Sequence, residues 1–413
     1  LLLVYCRKIV QSKELFLTFS LGAGILIPAP FFYMKALSLF SNVGFGEYYL
    51  SSAGVDVVVA NELLEDRVDF YKQIHSNQNI ICGDICETSV QNSIIDACRD
   101  EGGVDLVIAT PPCQGMSVAN AQKAKDDIRN KLIVHAMHIF NQVGARYMLI
   151  ENVPGMANTF INHNGKPIKI YDFIKSTIPD DFECRTKVLN GKDFGTPQSR
   201  SRSICLISKN GEWEHPKPHD HTPTVFEAIG DEEEFCSLRN GQHSNFAWHF
   251  APKHNPHHII WMSSTPTGNT AFDNKIHYPK ITKDGSTRRI KGFKTTYKRM
   301  EWDKPAPTVT MTNGSISSQN NVHPGRKRSD NTYSDARVLS IREILAVCGL
   351  PTDLFDKFAY IQSDLTFKYD YSPNFMRKVL GELFLPKMCL EIIKTIPEEL
   401  ELPPEPQLHF SFA

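Results

Sequence analysis

The sequence predicts an α/β protein: a mostly parallel, doubly wound sheet with helices on both faces, joined to a smaller loop-rich domain. Three observations predict it. From residue 34 to about 208 short apolar runs alternate with amphipathic stretches, polar residues capable of chemistry follow the ends of several runs, and after Gly211 both periodicities fade into Pro, His, Gly, Asn and Thr. Strand–helix alternation favours parallel pairing, because a crossover helix returns the chain to start its next strand in the same direction. Ligands of such sheets sit beyond the carboxyl ends of the strands.

Residues 1–33 stand apart. An apolar run from Leu15 to Ile27 follows Arg7, Lys8 and Lys13 and precedes Pro28-Ala29-Pro30, but it is short for a bilayer span and interrupted by Gly22 and Gly24. The first methionine is Met34, at the start of strand-like sequence, so residues 1–33 are read as translated upstream sequence, with a secretory signal as the rival reading. The expected strands are then Ala36–Phe40, Val55–Ala60, Asn79–Cys82, Val104–Ala109, Tyr147–Ile150 and Ser203–Ile207, with a helix over Ile128–Val143 among the segments between them. Residues 34–208 form the first domain and 209–335 the loop-rich one. A return segment, 336–396, regains helical pattern at Ser340–Cys348 and Phe375–Thr395, and 397–413 is a Pro-rich tail.

Composition narrows the function classes. Hydrophobic residues make up 41% and charged residues 22%, which excludes a disordered or fibrous chain. The net charge of −1 excludes a globally basic polyanion binder, so any nucleic-acid surface must be local. Ten cysteines form no Cys-x-x-Cys pair or compact Cys/His cluster, which argues for reduced thiols and against a structural zinc site.

Three segments carry chemistry. Ala109-Thr110-Pro111-Pro112-Cys113-Gln114-Gly115 places a cysteine just past an apolar strand, held by two rigid prolines, as suits an exposed nucleophile. Glu151-Asn152-Val153-Pro154-Gly155 places a carboxylate after the next strand, where it can face the same crevice. Asp193 to Arg202 ends in Arg200 and Arg202, whose alternation in extended structure points both the same way, toward a phosphate or a base.

In this order the three segments resemble the C5-cytosine DNA methyltransferase family, and the likeness runs through nearly all of residues 36–395. The resemblance implies a Rossmann-like domain that binds S-adenosylmethionine. Ser38-Leu39-Phe40-Ser41-Asn42-Val43-Gly44-Phe45-Gly46 looks like the first motif, in which Phe40, Gly44 and Gly46 would line the cofactor; the family usually has Gly at Asn42 and often an acid at Ser38. Asn tolerates left-handed backbone angles. Glu62 matches the acid that takes the ribose hydroxyls, Asp84 with Ile85 the adenine contact, and Pro111 the cofactor side of the cysteine loop. Asp127-Ile128-Arg129-Asn130-Lys131-Leu132 resembles a helix start, and Arg337 to Glu343 with Cys348-Gly349-Leu350-Pro351 the ninth motif. Gly381-Glu382-Leu383-Phe384-Leu385-Pro386 stands where Gly-Asn-x-Val-Pro-Pro is common.

For the chemistry, the resemblance implies Cys113 as nucleophile at C6 of cytosine, Glu151 on the N3 and amino edge, Arg202 on the base carbonyl, and Arg200 steadying the site. The base must be flipped out of duplex DNA. The target recognition region would span roughly 211–320. There, seven basic residues from Lys283 to Arg299 face the single acid Asp284, so Arg288, Arg289, Lys291, Lys294, Lys298 and Arg299 are expected to meet DNA, with Gln114 and Gln198 from the first domain. A partner restriction endonuclease cutting the same site, monomeric action, and a cytoplasmic, nucleoid-associated place without membrane contact follow from the resemblance. A transfer-RNA cytosine methyltransferase and a non-catalytic cofactor- or DNA-binding regulator on the same fold remain alternatives.

Overall fold

The computed structural model describes residues 8–11, 14–21, 25–28, 33–75, 79–112, 132–283, 285–363 and 367–397. At the N-terminus β2 (Glu14–Leu21) pairs antiparallel with both β1 (Lys8–Gln11) and β3 (Ile25–Pro28), so the apolar run 15–27 contributes to two strands. The main sheet begins with β4 (Met34–Leu39) and β5 (Val55–Glu62). It continues after α1 (Glu65–Ile74) with β6 (Ile80–Cys82), after α2 (Thr88–Asp100) with β7 (Leu106–Ala109), and after α3 (Leu132–Val143) with β8 (Tyr147–Asn152). A hairpin of β9 (Phe160–His163) and β10 (Lys166–Lys169), then α4 (Ile170–Thr177), lead to β11 (Phe182–Asn190), the short β12 (Gln198–Ser199) and β13 (Ser201–Lys209). Regular structure then thins to α5 (Val225–Ile229), α6 (Pro256–Ser263), the hairpin β14 (Lys280–Lys283) and β15 (Ser286–Arg289), and β16 (Ala306–Pro307) beside β12. The chain returns through α7 (Ile341–Val347), the hairpin β17 (Ala359–Ile361) and β18 (Phe367–Tyr369), α8 (Pro373–Glu382) and α9 (Pro386–Ile393).

Seven strands form the sheet in the order β11-β13-β8-β7-β4-β5-β6. From β6 to β8 every pairing is parallel; β13 runs antiparallel to both β8 and β11. All six expected strands are present. β11 was not foreseen, because it is an edge strand whose sequence FECRTKVLN is largely exposed and carries no apolar run.

The central strands are apolar throughout because both faces are buried. Leu106 and Ile108 of β7, Tyr147 and Leu149 of β8, and Ile204 and Leu206 of β13 point into one core with α7, α8 and α9. Their neighbours Val107, Ala109, Met148, Ile150, Cys205 and Ile207 point into the other with α3 and α4. The return segment therefore covers one face of the same sheet. The helical pattern of Phe375–Thr395 is broken into α8 and α9 at Leu383-Phe384-Leu385, since Pro386 keeps Leu385 extended (ψ 119°).

In the region 209–335 side chains substitute for backbone ladders. Arg299, Asn274, Asn313 and Asn321 each donate from buried positions to main-chain carbonyls of their own and neighbouring segments, around a small core of Trp261, Met262, Ala271, Ile316, Val322 and Val338. No described helix is long and apolar enough to cross a membrane.

Candidate active site

The carboxyl ends of β4, β7 and β8 are stitched together. Beyond β7, Thr110 donates its N–H to Leu39 O and its hydroxyl to Phe40 O (2.9 Å), and Asn152 Nδ2 donates to Pro111 O at 2.9 Å. The chain enters the cysteine loop from a place anchored to both neighbouring strands. Cys113 and Gln114 themselves, with most of the expected helix start at 127–132, lie outside the described residues.

Glu151 sits at the same height on β8, 8% exposed, and its Oε1 lies 2.6 Å from Nε of Arg202 on β13. A guanidinium and a carboxylate are thus held together, nearly shielded from water, beside the strand end at Thr110 and Pro111. Arg200 takes different partners. It lies between β12 and β13 rather than on a continuous strand, so alternation does not align it with Arg202. Its buried guanidinium donates to Val309 O (2.9 Å) and Gly381 O (3.1 Å), tying the catalytic sheet to the loop-rich region and to the end of α8.

The turn after β4 carries left-handed backbone at Phe40 (φ 59°), Asn42 (φ 53°) and Gly44 (φ 74°), so Asn42 adopts the conformation for which Asn is tolerated. A side chain at Gly44 would also collide, with a Cβ only 2.2 Å from His75 Nε2. Gly46 is less constrained, its nearest contact being Phe384 at 3.1 Å. Glu62, at the end of β5, is gripped from this turn: Asn42 N–H donates to Oε2 at 2.9 Å and Leu64 N–H to Oε1 at 3.2 Å. Burial pushes its carboxyl up, opposed by the Arg67 guanidinium and these N–H groups. Asp84, at the end of β6, receives Cys86 N–H on Oδ1 at 2.9 Å. The Ile85 side chain is core, 3% exposed, so any ligand there meets its main chain.

Several features suit S-adenosylmethionine. Two carboxylates stand at successive strand ends, the turn offers backbone at close approach, and Asn42 Oδ1 is buried without a hydrogen-bond partner among the described residues. Leu63, 56% exposed directly after Glu62, adds an apolar surface for a purine. The sequence reading missed Leu63, Arg67 and Asn152. An apolar residue following a strand-end acid was the available signal for Leu63, whereas Arg67 and Asn152 become visible only through three-dimensional neighbours.

The DNA-facing set divides. Arg288 and Lys291 are exposed on and beside the β14–β15 hairpin. Arg289 stacks over the Tyr278 ring at 3.6 Å, Lys294 pairs with Asp273 at 3.2 Å, and Lys298 is half-buried. Two residues must be withdrawn. Arg299 is 1% exposed and donates to the carbonyls of Met262, His323, Ser334 and Asp335, which lack ladder partners in this loop-rich core and attract a five-donor side chain; burial brings its pKa down to about 9. Gln198, also 1% exposed, joins three segments of the chain: it accepts from Val309 N–H and donates toward Cys348.

Residues 34–398 match the family model of the C-5 cytosine-specific DNA methylases. The Type II methyltransferase M1.HgaI of Avibacterium volantium is 37% identical over 368 residues, covering 88% of this chain and 98% of that protein. The Type II methyltransferase M1.HphI of Haemophilus parahaemolyticus is 28% identical over 362 residues, covering 86% and 84%. Among solved structures, the Entamoeba histolytica methyltransferase EhMeth aligns over 88% of this chain and 98% of its own with a TM-score of 0.57; at 13% identity this speaks to the fold alone. The sheet and the carboxylate–arginine pair at its strand ends agree with a family match across most of the chain: the protein belongs to the C-5 cytosine-specific DNA methylase family and is a Type II DNA (cytosine-5-)-methyltransferase.

Proposed function

We propose that the protein methylates one cytosine within a short duplex sequence through a covalent bond between Cys113 and C6 of the flipped base, and that this protects DNA from a restriction endonuclease cutting the same site. The observation that carries the reading is the Glu151–Arg202 pair, 2.6 Å apart, beside the strand end that leads through Pro111 to Cys113.

Cytosine C5 is a weak nucleophile, so an electron pair must first be added to the ring. The Cys113 thiolate forms the bond to C6, and the charge moves onto N3 and the base carbonyl. Glu151 binds the N3 and amino edge, sharing a proton with N3 while its other oxygen accepts from the amino group, and Arg202 binds the carbonyl, so the charge develops against groups already in place and shielded from water. Bound S-adenosylmethionine would supply the methyl group to C5 from its sulfonium, whose carbon–sulfur bond breaks to leave S-adenosylhomocysteine. Loss of the C5 proton then returns the electron pair that breaks the bond to Cys113. Glu62 would hold the ribose, Asp84 and Ile85 the adenine, and Phe40, Gly44, Gly46 and Pro111 the remainder. Arg288, Arg289 and Lys291 would meet phosphates.

The same reading assigns residues 34–208 to catalysis and cofactor binding, 209–335 to target recognition and 336–396 to the return segment, with the protein acting as a monomer on DNA in the cytoplasm. Conversion sequencing of plasmid DNA from a methylation-free host expressing the full chain tests it. Methylated cytosines in one sequence context, absent with Cys113→Ser, are expected; unmodified DNA from folded, cofactor-binding protein would overturn the DNA reading in favour of an RNA substrate or an inactive binder.

A further inference from the structure

Glu382 is the last residue of α8, where the helix dipole disfavours an acid, and Arg67 lies in the first turn of α1, where it disfavours a base. Each side chain opposes its own helix and meets the other: Arg67 Nη2 lies 2.6 Å from Glu382 Oε2. The other arm of Arg67, Nη1, lies 3.9 Å from Glu62 Oε1. The three side chains are 7% (Glu62), 14% (Arg67) and 19% (Glu382) exposed, so little water screens the row. Glu382 is also the position where this chain departs from the Asn common in the tenth motif.

We propose that Arg67 and Glu382 are positioning residues of the cofactor site: Arg67 orients the Glu62 carboxylate, and Glu382 fixes Arg67 in the place from which it can do so. This rests on Glu62 being the ribose ligand. The Asn42 and Leu64 N–H groups hold one edge of each Glu62 oxygen but carry no formal charge. When a nucleoside covers Glu62 and expels water, the carboxylate needs a countercharge, and among its described neighbours Arg67 is the cation that opposes its burial. The acid at position 382 is then the counterpart of an arginine at position 67. The end of α8 thereby serves both halves of the site, since the preceding carbonyl, Gly381 O, accepts from Arg200.

Titration calorimetry of the full chain with S-adenosylhomocysteine, paired with thermal melting, tests the arrangement without relying on turnover. R67M should weaken binding about tenfold and E382Q about threefold, within the range set by losing one partly buried charged partner. The charge swap R67E/E382R separates positioning from a plain tie between helices. It restores a salt bridge and hence the melting temperature, yet places a carboxylate against Glu62, so binding should fall below that of R67M. Recovery of affinity in the swap, or binding by both R67M and E382Q within twofold of the parent, would overturn the proposal. E62Q locates such a failure. Lost binding in E62Q with normal binding in R67M and E382Q removes only Arg67 and Glu382 from the site, whereas parental binding in E62Q removes the ribose assignment and the proposal with it.

Discussion

At the residue scale, two buried acids near the strand ends are satisfied in opposite ways. Glu151 has a guanidinium at 2.6 Å, whereas Glu47, just past the turn that follows β4, has the Tyr71 hydroxyl at 2.7 Å and that of Ser38. Hydroxyls do not replace the lost hydration of a full charge, and burial raises the Glu47 pKa to about 7. The native state therefore holds this proton more tightly than the unfolded chain, so between pH 4.5 and about 7 stability is lost as pH rises, with the full cost present above. Gln keeps an acceptor for Tyr71 and carries no charge. Glu47→Gln should leave melting near pH 4 unchanged and raise the midpoint at pH 8 by roughly 1 °C for each kcal/mol recovered, with roughly 1–3 kcal/mol available. Calorimetric scans at the two pH values check it, and equal shifts at both would sink the assignment. Ser38 replaces the family's frequent acid directly beside Glu47, and a second carboxylate there would compete for the same proton.

At the element scale, the sheet was legible because each central strand is buried on both faces and reads as an unbroken apolar run, whereas the edge strand β11 hides its identity in exposed Glu, Arg and Lys. The strand-end acids were legible for the same reason: a carboxylate interrupts each run where the strand leaves the core. The loop-rich region defeats this logic. Its basic stretch reads as one stripe, yet Arg299 belongs to the core while Arg288 and Lys291 face solvent, a division made by loop carbonyls that no periodicity announces. The difference is measurable. Arg288→Ala and Lys291→Ala should leave melting intact and weaken DNA binding, with a salt slope reduced by about one for each phosphate no longer neutralised. Arg299→Ala should instead destabilise by at least about 3 kcal/mol, because several buried carbonyls lose their donor together. A folded Arg299→Ala protein with a reduced salt slope would return Arg299 to the DNA surface.

At the scale of the whole molecule, loops and return helices are joined through one buried network of charges. Arg337 bridges Asp335 at 2.8 Å and Glu343 at 2.7 Å, Leu238 N–H and Ser237 donate to Asp335, His323 lies 3.6 Å from Glu343, and Arg377 of α8 donates to Asn313 and to Leu339 O. Part of this was visible as the ninth motif; its partners were not, because the segments that meet there lie up to about a hundred residues apart in sequence. Burial alone would push both carboxyls up, but the Arg337 guanidinium and surrounding donors outweigh it, bringing Glu343 down to about 2 and Asp335 well below the usual carboxylate range. Depressed acids contribute stability that is present above their unfolded values, near 4, and disappears as pH falls through the folded ones. Burial lowers His323 to about 4, so between pH 6.5 and about 4 the unfolded chain takes up a proton that the native state refuses, and stability again falls with pH. Both contributions have the same sign. His323 should therefore lower the melting temperature from about pH 6.5, by roughly 3 °C at pH 4 given about 1 °C per kcal/mol for a chain of this size, in addition to the similarly depressed His75, His215 and His254 and against the opposite contribution of Glu47, and the decline should steepen below as the carboxylates protonate. His323→Gln should remove its share of the upper part of the decline and leave the lower. The same pH profile from pH 7 to pH 4 in His323→Gln as in the parent protein would mean that His323 does not take part in the network that joins the loop-rich region to the return helices.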